Sequence, residues 1–132
     1  MEPDILQFFT VQPAALPIYE ALEAEIRALF PDARRRVQKT QITFDHRCVF
    51  ACVSFLRVLN KALLPNPYLV LTLGLPGPLD SARAAVQTEP YPGRWTVHIP
   101  LGRPDEVDAE LLSWLRASYA FSESKRQAPR KS

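Results

Sequence analysis

No phosphate-cradling glycine loop, long apolar run, cysteine framework or excess of one charge occurs in this sequence. Each absence removes a class of function. The stretch Leu73-Gly-Leu-Pro-Gly-Pro lacks the Lys-Ser/Thr ending of a phosphate loop and leads to no clear helix. No Gly-x-Ser-x-Gly elbow is present to carry a hydrolase serine. No CxxC or HxxxH spacing offers paired metal ligands, so neither a metal nor a cofactor is expected. A net charge of +2 is too small to argue for nucleic acid. No stretch is long enough to span a bilayer, and no basic-then-apolar leader opens the chain. The expectation is a cytoplasmic protein with no membrane contact.

Only two cysteines are present, Cys48 and Cys52. In one strand, at roughly 3.3 Å per residue, their Cα atoms stand about 13 Å apart, too far for one disulfide or one zinc. Reduced thiols follow. What is plentiful is proline, 13 in 132 residues, about twice the usual share. Several connections should therefore be rigid and extended. The length suits one domain with a single core.

The chain is organised around residues 36–56. Two β-rich runs flank Asp45-His46, which reads as a hairpin turn. That register sets Phe44 opposite Arg47, Ile42 opposite Val49, and Thr40 opposite Ala51. On the other side Thr43 meets Cys48, Gln41 meets Phe50, and Lys39 meets Cys52. Side chains alternate along a strand, so Val53 and Phe55 continue the apolar side.

Residues 1–16 hold Ile5, Leu6, Phe8, Phe9 and Val11, and should pack on the body as a short strand or coil. Pro17 to Phe30 reads as a helix with Ile18, Leu22, Ile26 and Leu29 as its buried stripe. Arg34, Arg35 and Arg36 then read as a solvated basic loop. Tyr68 to Leu75 is a strand with Leu69, Leu71, Leu73 and Leu75 on its core side. Residues 76–94 form a long Pro- and Gly-rich connection. Trp95 to Leu101 is a further strand. Asp105 to about Ser122 is a helix with acidic residues on its first turn, where the helix dipole favours them. The remaining segment, 123–132, is polar and basic and is expected to be disordered. The fold class is therefore α+β: a four-stranded antiparallel sheet with an N-terminal and a C-terminal helix packed on one face, in a single domain over 17–122.

Several stretches together resemble a known family. They are Val37-Gln-Lys-Thr-Gln-Ile-Thr-Phe44, Phe50-Ala-Cys-Val-Ser54, Pro67-Tyr-Leu-Val70, Glu89-Pro-Tyr91 and Arg94-Trp-Thr-Val-His98. They are similar to the bacterial Domain of Unknown Function 5655 family, over about Leu16 to Phe121. The resemblance implies a small α+β domain. It implies no known activity and carries over no catalytic residue.

Strand parity places a donor-rich set on the sheet face away from the helices: Lys39, Gln41, Thr43, Tyr68, Thr72, Thr96 and His98, with Arg47 and Arg94 near the rim. Such a face suits a small anionic ligand or a peptide. The expectation is a non-enzymatic binding or interaction module, with Lys39, Gln41, Arg47, Tyr68, Thr72, Arg94 and His98 as ligand contacts. Cover by another segment, or by a second copy in a homodimer, is the competing reading of that face. A nucleic-acid accessory role is the first alternative, from Lys39, Arg47 and Arg94 beside Phe50 and Tyr68. Thiol chemistry by Cys52 and His98 is the second, with Lys39 opposite Cys52 to lower its pKa.

Overall fold

The computed structural model describes residues 2–127. A six-stranded antiparallel sheet runs in the order β1-β2-β3-β4-β6-β5. Its strands are β1 (Arg34–Val37), β2 (Gln41–His46), β3 (Cys48–Ser54), β4 (Leu69–Leu75), β5 (Val86–Tyr91) and β6 (Arg94–Leu101). Three α-helices accompany it, α1 (Pro3–Phe8), α2 (Leu16–Leu29) and α3 (Ala109–Gln127). The α+β class and the antiparallel sheet hold, but the strand number is six rather than four.

Both extra strands are edges. The run read as one strand over 36–44 turns at Lys39 and Thr40, where the Gln38 amide donates to the Gln41 carbonyl at 2.8 Å. The arginine run is the outer strand β1 rather than a loop. Charged side chains suit an edge because they discourage further strand pairing. The second addition, β5, lies in the long connection. It accommodates Pro90 because an edge strand needs only half of its amides, and its ladder with β6 is interrupted between Thr88 and Tyr91. Gly93, at φ +73°, closes the β5–β6 hairpin. The N-terminal segment contributes a helix, not a strand or coil.

The hairpin register also differs from the expected one. Thr43 pairs with Cys52, Ile42 with Val53, and Phe44 with Ala51. Arg47, at φ +84°, is the apex between β2 and β3. Lys39 precedes β2 and has no partner in β3, so it does not stand opposite Cys52. A bulge falls where Phe44 pairs with Ala51 and Asp45 with Val49. Phe50 is the extra residue, and it turns to the side of Ala51. Phe50 is thereby buried while Val49 is 51% exposed.

One face of the sheet carries Ile42, Phe44, Ala51, Val53, Leu71, Leu73, Val97 and Ile99, all buried. The helices pack here. Tyr19 of α2 stacks near Phe44, and Tyr119 of α3 meets Phe50 edge-on at 5.1 Å. Phe30, just beyond α2, lies flat on Tyr119 at 4.3 Å and edge-on to Phe50 at 5.2 Å. The Ser118 hydroxyl donates to the Phe50 carbonyl. At the other end Phe8 stacks on Phe55 at 5.2 Å, and Phe9 packs on Tyr19 and Phe55. Of the anticipated stripe Ile18, Leu22, Ile26 and Leu29, the first three are fully buried and Leu29 is half-buried; Leu111, Leu115 and Ser118 of α3 are buried as well.

Two ties hold the connections. Asp108 caps α3 by accepting from the Leu111 amide at 3.0 Å. Arg83 bonds to Asp108, Glu110 and the Glu106 carbonyl, and lies over the Trp114 ring. At the end of β6 Gly102 meets Pro65 so closely that a Cβ there would sit 2.6 Å from the Pro65 Cβ.

Candidate functional site

The face opposite the helices carries one row across all six strands: Arg36, Thr43, Cys52, Thr72, His98 and Val86. Thr72 Oγ1 lies 2.8 Å from His98 Nδ1, and Cys52 stands opposite Thr72 on the neighbouring strand. Parity thus brings Thr72 and His98 together. Burial pushes the Cys52 thiol up from its ordinary pKa, and the Thr72 side chain only partly opposes this. Desolvation lowers the His98 imidazole pKa. A thiol held neutral by burial is a poor nucleophile. The Thr43 hydroxyl is buried with no hydrogen-bond partner among the described residues.

Lys39 and Gln41 sit elsewhere, at the turn end of β2. They line a cleft of about 410 Å³ whose apolar walls are Phe8, Val11, Phe55 and Leu56. Ser54 adds a hydroxyl, already accepting from the Leu56 amide at 3.3 Å. Gln41 donates to the Gln38 side chain at 3.1 Å. Val11 is 73% exposed and Leu56 54%, an unusual state for large apolar side chains around one hollow. Lys39 has no ion pair or hydrogen bond among the described residues. A second cleft, of about 480 Å³, adjoins on the α1 side and shares Phe8, Val11 and Lys39. The chemistry on offer is one free ammonium and a few amide and hydroxyl groups beside an apolar lining.

A family model described as a domain of unknown function (DUF5655) matches residues 6–122. The chain belongs to this family. No curated protein and no solved structure matches it.

In this DUF5655 chain the other anticipated contacts are dispersed. The Tyr68 hydroxyl is spent on the Phe55 carbonyl at 2.6 Å, and its amide donates to Gln12. Arg47 is beyond the far end of β2 from Gln41, roughly 20 Å away at about 3.4 Å per residue. Arg94 lies in the β5–β6 hairpin, paired with Tyr91. One further polar cluster was not anticipated. His46 Nδ1 meets Glu123 Oε1 and, at 3.0 Å, the Tyr119 hydroxyl. The His46 contact holds the Glu123 carboxyl below its ordinary range, and desolvation raises Tyr119. Residues 123–127 of the basic tail, expected to be disordered, are instead the last turn of α3, and this helix carries Glu123 to His46. Residues 128–132 of that tail lie outside the described residues. Among the described residues, no three His, Cys, Asp or Glu side chains converge as a metal site, and no helix is long and apolar enough to cross a membrane.

Proposed function

We propose that this protein is a non-enzymatic binding module that takes an amphipathic anion in the cleft at Lys39. The observation that carries this reading is the free Lys39 ammonium beside a 410 Å³ hollow walled by exposed Val11 and Leu56. Ligand sites are concave and mostly apolar, with a few convergent polar groups that fix orientation. An apolar body would lie against Phe8, Val11, Phe55 and Leu56. A carboxylate would meet Lys39, with Gln41 and Ser54 as further hydrogen-bonding groups.

The anticipated broad sheet-face site is replaced here by a narrower place holding two of the anticipated residues. The thiol alternative loses support because burial raises the Cys52 thiol pKa, against what a thiolate nucleophile needs.

Octanoate is a suitable probe, titrated by calorimetry and by amide chemical shifts. Octanoate binds, with shifts confined to residues 8–11, 39–41 and 54–56, whereas octylamine does not. Lys39→Glu weakens octanoate by roughly tenfold or more, the worth of one charge-assisted hydrogen bond. Lys39 is exposed in a turn, so an unchanged circular dichroism spectrum is expected of the variant. Shifts centred on Thr72 and His98, or equal binding of octylamine, would refute the assignment.

A further inference from the structure

Resting on that reading of the cleft, we infer that its natural occupant is an extended, carboxylate-bearing segment of a partner protein, which pairs with the outer edge of β1. The phase of the β1–β2 hairpin decides which backbone groups are free. Gln38 donates to the Gln41 carbonyl, so this is a hydrogen-bonded pair of the antiparallel ladder. Such pairs alternate with non-bonded ones. Counting back, Arg36–Thr43 and Arg34–Asp45 bond inward, and Arg35–Val37 amides and carbonyls at the odd positions 35 and 37 point away from β2. β1 is the last strand on that side.

Beside Val37 lies the second cleft, between the end of β1 and α1. A groove between an edge strand and a helix takes an extended chain: main-chain bonds supply affinity, and alternate side chains enter pockets. Here a side chain of the added strand lies against Phe8 and Val11. The chain then continues past Lys39 into the first cleft, since both hollows share that residue.

Charge sets the direction. Asp4 lines the groove one helical turn before Phe8, and Glu2 pairs with Arg35 beyond it. That end repels a carboxylate, while the Lys39 end attracts one. On the opposite face exposed Arg34 and Arg36 share a single carboxylate, Asp45, and leave a net positive charge beside the edge. Basic segments are therefore disfavoured. Arginines on an edge also discourage indiscriminate pairing, but that role needs neither a groove nor an unpaired lysine at its end.

The test uses a fluorescein-labelled hexapeptide, Thr-Val-Thr-Val-Glu-Val, titrated by anisotropy against the full chain, with octanoate in parallel. The peptide is expected to bind and to slow hydrogen exchange at the Val37 amide. Replacing its glutamate by lysine, or N-methylating alternate backbone amides, weakens binding at least tenfold. The free acid and the C-terminal amide compare a terminal with a side-chain carboxylate as the group at Lys39. In the protein, Val37→Pro removes an outward amide and weakens the peptide at least tenfold while octanoate still binds. Should Val37→Pro fail to fold, the N-methylated probe and the exchange at Val37 decide. Octanoate binding at Lys39 with no peptide binding overturns the strand-pairing inference and leaves the cleft reading standing. Absence of both overturns both. Peptide binding indifferent to N-methylation, with Val37 exchange unchanged, also overturns the inference.

Discussion

Truncating Phe50 tests the bulge on which the packing of α3 depends. With regular alternation Phe50 would share the side of Cys52 and Ser54, away from the helices. The extra residue turns it inward, where it is 2% exposed between Phe30 and Tyr119. Phe50→Ala removes a fully buried aromatic ring, which costs about 3–5 kcal/mol including the cavity left behind. Two edge-on ring contacts account for about 0.5–1.5 kcal/mol each of that figure. The total is a large part of the roughly 5–15 kcal/mol that holds a typical domain together. The control is the neighbouring Val49→Ala, which should stay within about 0.5 kcal/mol because that side chain is 51% exposed. Urea denaturation of both variants, with slopes compared so that only midpoints are interpreted, measures the difference. A loss below about 1 kcal/mol for Phe50→Ala, or a larger loss at Val49, would refute the bulge and with it the orientation of both side chains.

Other expectations follow from single contacts. Thr43→Val should raise stability by about 1 kcal/mol, since an unpaired buried hydroxyl is penalised and valine suits a strand; a loss in thermal or urea melts would mean the hydroxyl has a partner. His98 has a lowered pKa through desolvation, so the unfolded chain takes up this proton first. Stability is therefore lost as pH falls from about 6.5 through the lower native value, and His98→Gln flattens that limb of a urea-midpoint against pH plot; an unchanged limb would exclude His98 as its source. The Asp108 carboxyl is held below its ordinary range, first by the Leu111 amide and then by Arg83. Asp108→Ala should cost about 1 kcal/mol above roughly pH 4, with the difference shrinking as acid titrates the carboxylate, while Asp108→Asn keeps the cap; equal losses for both variants would show that capping is not the cause.

Legibility in the sequence followed periodicity. Leu69, Leu71, Leu73 and Leu75 alternate without interruption, and all four are buried. The α2 stripe follows the helical repeat. The turn at Lys39 and Thr40 was invisible because neither residue is a turn former and the β-rich pattern runs straight through it. Arg34 to Arg36 look solvated because Arg34 and Arg36 are; a strand that exposes alternate charges at an edge resembles a loop in composition. In β5, Pro90 and Gly93 pointed to irregular chain, although an edge strand tolerates the proline and the glycine only closes its hairpin. Phe50 could not be placed because a bulge leaves no mark in an alternating apolar run. For the site, parity was enough to align Thr72 with His98 across β4 and β6. The cleft around Lys39 was hidden for a different reason. Its walls come from Val11, Phe55 and Leu56, which belong to irregular or strand-end segments whose meeting depends on tertiary folding.

The contact between Gly102 and Pro65 acts as a fastener. The backbone of one crossing rests on the ring of the other without room for a methyl group, and a proline ring cannot swing aside as a long flexible side chain would. Even alanine at 102 must displace the segment that leads into β4. Drift in length or composition within residues 56–67 is thus answerable to a single hydrogen-for-methyl vacancy some forty positions further along, and the two corners must change together or stay as they are.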